Sequence, residues 1–593
     1  MTPMVTIEEL ANLDTVKFTK AAAGWSAVSH RAQAYRERVD HDMLSKLRAT
    51  QQGSAASAVL RDLDRLSKNY QYIHAEGGLI RTALSGLAEE LAGPQRKLKQ
   101  ALEEAQGLKF TVRPDGSVEY PKPQGTPSPL LPTPAASGAM PSLMKPDSAP
   151  DPNQAKAQDI ANRIGDALKE ANEIDGRFAR ALAKLRTDAD LKNTDWADVA
   201  RDLSDVQAAT ARHPSDLKSR KGKSPKENAE WWSKQSGERK EELITLFPDQ
   251  VGNLDGIPSA VRDRANREYL PILMGKLEGR SDGKSTEQLE GLKVIDEKLR
   301  SGSQPPMFLL GISDQGNGRA IISYGDPDTS KNVSAYVPGL GTKLDKDFAD
   351  GCVERAQQTA LEAQKYNKSS ASIVWLGYDA PLMGTDRGFS NADVAMDGKA
   401  KDGARDYDRF LDGVHATSQN RDLHVTAIGH SYGSLTVGMA SQRPGGIPAD
   451  DVIILGSPGT GVDKASDLGV GKDHVFVGAA ENDPVSKAPS WKDVTATGVA
   501  TYLFGPWGGR LAHEAAGAAG EDDENWFGKD PASKAFGARR FKVDDGPVPV
   551  MGGHGFMPGH SQYFDPGRDP QSARNIGVIV AGRSDLITPE KPR

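Results

Sequence analysis

Between residue 305 and residue 593, short apolar runs alternate with amphipathic stretches, and no other feature constrains the fold as much. The runs occupy 307–310, 320–323, 333–337, 372–376, 424–428, 452–455, 475–477 and 576–580. Helical patterns lie between several of them, at 347–366, 403–415 and 432–441. Short continuous apolar runs fit strands buried on both faces, and the intervening helices supply the cover. The expectation is an α/β domain over 305–593, with about eight mostly parallel strands.

The N-terminal part reads differently. Phe18, Ala21, Trp25, Val28, Ala32, Tyr35 and Val39 recur at steps of three and four, as do Val59, Leu63, Leu66, Tyr70 and Ile73. A third stripe runs Ile160, Ile164, Ala167, Ala171, Ile174, Phe178, Ala181 and Leu185. Such spacing keeps one seam toward a neighbour, so residues 1–190 are expected to form an all-α helical bundle. A helical protein partner docking on the bundle is the second reading of the same stripes. Gln51-Gln52-Gly53-Ser54 marks a turn between the first two helices. Residues 109–120 alternate about Pro114-Asp115-Gly116, a hairpin signal. The proline-rich stretch 121–153 is expected to be an extended linker or loop. Residues 191–304 are polar and mostly helical, a connecting or cap region.

Composition removes some functions. The chain has 593 residues, too many for one core. Its 74 Lys and Arg face 81 Asp and Glu, for a formal charge of −7, so there is no basic field to grip nucleic acid. The lone cysteine, Cys352, cannot form an internal disulfide. The first residues carry acids and no apolar h-region, and no run of 18 apolar residues occurs, so neither a secretory signal nor a membrane span is expected. The address is left open between the cytoplasm and a signal-less export route.

The fifth apolar run leads into Gly429-His430-Ser431-Tyr432-Gly433, which matches G-x-S-x-G. The bare pattern is common. Here a strand pattern enters and a small-residue helix pattern leaves, as a nucleophile elbow requires: the serine sits in a strained turn, and the glycines remove Cβ atoms that would clash. An acid and then a histidine should follow in chain order. Asp483, in Glu481-Asn482-Asp483-Pro484 after the seventh run, is the expected acid; Asp463 is the fallback and Glu481 the third choice. Among the later histidines, His560 is expected to be the base, with His554 second and His513 assigned to a helical insert. The oxyanion donors are expected to be the amide of Tyr432 and that of Leu340 or Gly341, in the loop Val337-Pro338-Gly339-Leu340-Gly341.

Residues 486–535 form an insertion with Trp491, Tyr502, Phe504, Trp507, Trp526 and Phe527, which reads as a lid or as an aromatic mini-core. Gly279 to Ser285 resembles a phosphate-binding loop but has three residues between its glycines, not four, and no strand before it. Gly325-Asp326-Pro327-Asp328 reads as a turn, and there is no H-E-x-x-H or Cys/His cluster. No metal or cofactor is expected.

Taken together, Trp231-Trp232, residues 252–264, Gly325-Asp326-Pro327-Asp328, Tyr336 to Gly341, Gly429 to Ser434, Gly456 to Gly459, Gly478 to Pro484 and His560 to Phe564 resemble an actinobacterial α/β-hydrolase family formerly of unknown function. The resemblance runs from about 225 to 585. It implies an α/β-hydrolase fold and a triad of Ser431, Asp483 and His560, without a defined substrate. The N-terminal helices are similar in outline to WXG-type substrates of type VII secretion. They depart from that pattern at Trp25-Ser26-Ala27, while Tyr72 to Glu76 fits Y-x-x-x-[DE].

Three functions follow from these residues. The first is a serine hydrolase that cleaves small-molecule or lipid carboxylic esters through an acyl-enzyme. The second is a catalytically silent hydrolase scaffold whose helices serve interaction or secretion. The third is amide or peptide cleavage by the same triad.

Overall fold

The computed structural model describes residues 5–121, 130–131, 152–185, 194–210, 214–382, 398–487, 524–548 and 558–593. The chain divides into two compact units: Met1–Met43 with Gln51–Ser215, and Leu44–Thr50 with Asp216–Arg593. The division falls near residue 215 rather than at 190.

In the first unit, α1 (Val16–Arg38) packs on the long α2 (Ser54–Gly107), and α2 packs on α3 (Pro152–Lys184). A fourth helix, α4 (Trp196–Ala209), closes on both α2 and α3. The stripe of α3 is buried along its whole length, from Ile160 to Leu185. The stripe of α1 is displaced from the expected one. Ala22, Ser29, Ala32, Arg36 and Val39 are buried, whereas Trp25, Val28 and Tyr35 stay exposed, as do Val59 and Leu66 on α2. Close approach explains the shift. A Cβ on Gly77 would lie 3.3 Å from the Cβ of Ser29, and the Ser29 hydroxyl donates to the His74 carbonyl at 2.9 Å. Small residues let the two backbones draw together, so the larger apolar side chains turn outward.

The hairpin pairs Thr111–Val112 with Val118–Glu119, and Gly116 takes φ +84° in its turn. Leu130–Leu131, inside the proline-rich stretch, adds a third strand. Residues 122–129 and 132–151 of that stretch lie outside the described residues.

The second unit carries an eight-stranded sheet: β1 (Met307–Ser313), β2 (Arg319–Tyr324), β3 (Asn332–Val337), β4 (Ser370–Leu376), β5 (His424–His430), β6 (Asp451–Leu455), β7 (Val475–Gly478) and β8 (Arg539–Arg540). Their spatial order is β8-β7-β6-β5-β3-β4-β2-β1. Pairing is parallel from β8 to β4 and antiparallel where β2 meets β4 and β1. Every residue of β3, β4, β6 and β7 is buried, as two-sided cover demands. Alternate residues Val333, Ala335, Val337, Ile373, Trp375, Val425 and Ala427 form one core with α5 (Gly398–Thr417) and α6 (Gly433–Ser441).

The expected eighth strand at 576–580 is instead the end of α7 (Pro570–Val580). The Asp569 side chain caps this helix through the Ser572 amide at 2.8 Å, and Pro570 begins it. Ala573, Ile576, Gly577 and Val580 share one buried face at helical spacing, so packing overrides the β-branched run. The true eighth strand is β8, whose Arg539 and Arg540 pair with Phe476 and Val477. Gly325-Asp326-Pro327-Asp328 does form a turn. Buried Asp328 accepts hydrogen bonds from the Ser259 amide (2.6 Å), the Ser259 hydroxyl (2.8 Å) and the Thr417 hydroxyl (2.6 Å), so it is a structural anchor.

Candidate active site

The parallel order puts the ends of β3, β5 and β7 along one sheet edge, and the loops that leave them meet there. Ser431 follows β5 directly, with φ +57°. Among the described residues the only other non-glycine with positive φ is Lys109. This strain is held by the surroundings. The Ser431 amide donates to the Leu455 carbonyl at 3.0 Å, and α6 begins two residues on. Both flanking glycines are required: a Cβ on Gly429 would lie 2.6 Å from the Cα of Ser434, and one on Gly433 would lie 2.1 Å from the Val337 carbonyl oxygen.

The loop after β3 crosses close over this elbow. A Cβ on Gly339 would meet the Cβ of Ser431 at 2.6 Å and the amide nitrogen of Tyr432 at 2.8 Å. The Tyr378 hydroxyl pins the loop by donating to the Pro338 carbonyl at 2.7 Å. Of the two expected donors here, Gly341 is already committed, since its N–H donates to the Pro381 carbonyl at 2.8 Å. The Leu340 N–H makes no hydrogen bond among the described residues.

Asp483 follows β7 and is fully buried. Both of its carboxylate oxygens lie 3.0 Å from His560 Nδ1. Oδ1 also accepts from the Val485 amide at 2.9 Å, and Oδ2 from the Tyr563 hydroxyl at 2.6 Å. Burial alone would push this carboxyl up. The His560 ring beside it, with the bonds from His560, Tyr563 and Val485, outweighs burial and holds it below the usual aspartate value. His560 sits in a single 3-10 turn, Pro558–Ser561, between β8 and α7. Gly456 makes room for the pair, because a Cβ there would lie 2.6 Å from Asp483 Oδ2 and 2.9 Å from His560 Nδ1.

His560 is tied to the elbow through His430. The His430 Nε2–H donates to the His560 carbonyl at 2.8 Å, and the two rings stack with centroids 4.6 Å apart. Burial, reinforced by the neighbouring His560 and Arg355, keeps His430 well below the ordinary histidine range, so it stays neutral. Ser431 Oγ and His560 Nε2 are not hydrogen-bonded to each other in this arrangement. Such bonds commonly tighten only in the substrate complex.

The structure thus brings Asp483 to His560 and leaves Asp463 elsewhere. Asp463 is exposed near Gly528, and Glu481 pairs with Lys487. His554 and His513 lie outside the described residues. So do residues 488–523, with Trp491, Tyr502, Phe504 and Trp507 of the expected lid. The described end of that insertion sits against the elbow: the Phe527 ring meets Tyr432 edge-on at 5.8 Å, and Phe527 donates its amide to the Pro458 carbonyl at 2.9 Å. Among the described residues, no group of three or more His, Cys, Asp or Glu side chains could hold a metal, and no helix is long and apolar enough to cross a membrane. His430 and Tyr563 escaped prediction. His430 fills a position that the elbow pattern leaves blank. Tyr563 stands three residues after the histidine, and only the folded loop aims its phenol at Asp483.

Comparison with known proteins bears on the fold. A family model described as alpha/beta hydrolase matches residues 314–492. An uncharacterized protein of Mycobacterium tuberculosis is 28% identical over 392 residues, which cover 60% of this chain and 55% of the relative. An uncharacterized protein of Mycobacterium bovis is 36% identical over 209 residues, which cover 34% of this chain and 75% of the relative. The chain therefore spans about half the length of the M. tuberculosis relative and three quarters of the M. bovis one. No solved structure matches.

Proposed function

From the premise that this chain belongs to the alpha/beta hydrolase family, we propose that it is a serine hydrolase cleaving carboxylic esters through an acyl-enzyme. Ser431 attacks the ester carbonyl. His560 takes the hydroxyl proton at Nε2 and passes it to the leaving alcohol, while Asp483 holds Nδ1–H and stabilises the imidazolium. The tetrahedral oxygen is received by the amides of Tyr432 and Leu340, with the N-terminus of α6 adding its partial positive charge. Water then attacks the acyl-enzyme, with His560 as base.

The observation that carries this reading is the buried Asp483–His560 pair, with both carboxylate oxygens 3.0 Å from Nδ1, tied through His430 to the elbow whose serine is held at positive φ. A structural serine needs neither the strain nor the neighbouring acid–base pair. The test is labelling of the full chain with a fluorophosphonate, followed by turnover of short- and long-acyl esters beside amide substrates. Labelling that disappears in Ser431→Ala, with ester turnover, is the expected result. Labelling without ester turnover, but with amide cleavage, would move the reading to an amidase. No Ser431-dependent labelling would leave a silent scaffold.

A further inference from the structure

Asp483 has more donors than an orienting acid needs, and one of them comes from the histidine's own loop. The Tyr563 hydroxyl lies 2.6 Å from Asp483 Oδ2, a short contact typical of a charge-assisted bond. The same hydroxyl accepts the Ala480 amide at 3.0 Å. That acceptance uses a phenol lone pair and leaves the phenol proton only the Oδ2 direction. Tyr563 is fully buried, and its ring packs so close to Gly456 that a Cβ there would lie 3.0 Å from it. His560 and Tyr563 stand three residues apart on one loop and both bond the same carboxylate.

We propose that Tyr563 is a positioning residue that fixes the Asp483 carboxylate and, by drawing charge from Oδ2, limits how strongly Asp483 holds the His560 imidazole. This rests on reading Ser431, His560 and Asp483 as one catalytic unit. A carboxylate shared between two donors is a weaker acceptor toward each. Without the phenol, Asp483 turns more of its charge on His560 Nδ1–H, and the protonated ring becomes harder to discharge. The groups that meet this ring are Asp483 from the loop after β7 and His430 from the end of β5, and Tyr563 reaches it through Asp483. Arg355 acts on His430 from behind, and Arg593 acts on Tyr563.

The test uses the full chain and two substitutions at one position that act in opposite senses. Tyr563→Phe removes the donor. A fluorinated tyrosine with a more acidic phenol strengthens it and keeps the shape, so folding is not at issue. The first readout is the low-field proton resonance of His560 Nδ1–H, assigned with His560→Gln, and it needs no turnover. It is expected to move downfield in Tyr563→Phe and upfield with the fluorinated residue. The second readout is the acid limb of kcat/KM for an ester, which reports the essential base of the free enzyme. It is expected to move up by about half a pH unit in Tyr563→Phe, with KM little changed, and down with the fluorinated residue. A resonance that stays in place in both variants, or moves the same way in both, overturns the proposal. Absence of Ser431-dependent labelling in the wild-type protein would instead overturn the esterase reading and leave the resonance test standing.

Discussion

Two buried carboxyl groups, one in each unit, meet opposite fates. Asp483 is fully buried and ionised, because His560, Tyr563 and the Val485 amide all donate to it. Glu76, on α2 of the helical unit, is 1% exposed, and neither of its oxygens has a hydrogen-bond partner among the described residues. Burial, together with the charges of Asp202 and Asp198, pushes its carboxyl up to about 8. Asp202 is itself raised to about 6, chiefly by burial, and it ionises first, so Glu76 meets its charge. Depth inside the protein therefore does not decide ionisation. The supply of donors does. One unit holds a carboxylate kept charged by its donors, and the other holds a carboxylic acid that burial keeps neutral.

That contrast can be broken at several points. The largest effect is expected at the serine: Ser431→Ala should lower ester kcat/KM by at least about 10³-fold with an unchanged melting temperature, measured by steady-state kinetics and calorimetry. An active alanine variant would remove the elbow from the mechanism. Next comes Asp483→Asn, which keeps the shape but offers His560 an amide in place of a carboxylate. A loss of about 10²–10⁴-fold in kcat is expected. If Asp463→Asn is the damaging change instead, the acid is misassigned. Gly456→Ala would push a methyl between Asp483 and His560, and about 10–100-fold should be lost in kcat as the pair is displaced.

The smallest effect lies in the helical unit and concerns stability. Because the folded-state value for Glu76 lies near 8 against an ordinary 4.5, the folded protein holds this proton more tightly than the unfolded chain does. At low pH both states are protonated and nothing is lost. As pH rises from about 4.5 toward 8, the unfolded chain gives up its proton first, and the helical unit loses stability. Glu76→Gln should abolish most of that slope and stabilise the unit by about 1–3 kcal/mol at pH 9, measured by denaturant unfolding across pH. A wild-type unit whose stability is flat between pH 5 and 9 would show that Glu76 finds a partner in solution.

Much of the candidate site was legible in the sequence, because local sterics leave few residues able to form its turn. The elbow needs glycines where Gly429 and Gly433 stand, since a Cβ at either would strike backbone atoms. Chain order then narrowed the acid and the histidine to a few candidates, and Asp483 and His560 are the two that meet. The misreadings have physical causes as well. In 576–580 a β-branched run looked like a strand, but Asp569 and Pro570 start a helix just before it. In α1 the larger apolar residues suggested one seam, while Ser29 and Gly77 permitted a closer approach on another. Gly341 had the conformational freedom expected of an oxyanion donor, with φ +80°, but its N–H was taken by Pro381.

The sequence alone determined the strand–helix alternation, the sharp turn at Ser431 and the order in which Asp483 and His560 follow it. Each of these depends on local sterics or on short-range periodicity. Only the tertiary structure decided which donors surround Asp483, that the Tyr563 hydroxyl and His560 Nδ1 meet the same carboxylate, that His430 lies stacked on His560, and that Glu76 has no donor among the described residues. These depend on contacts between residues tens to hundreds of positions apart, where direction and desolvation set the energy and no linear pattern records either.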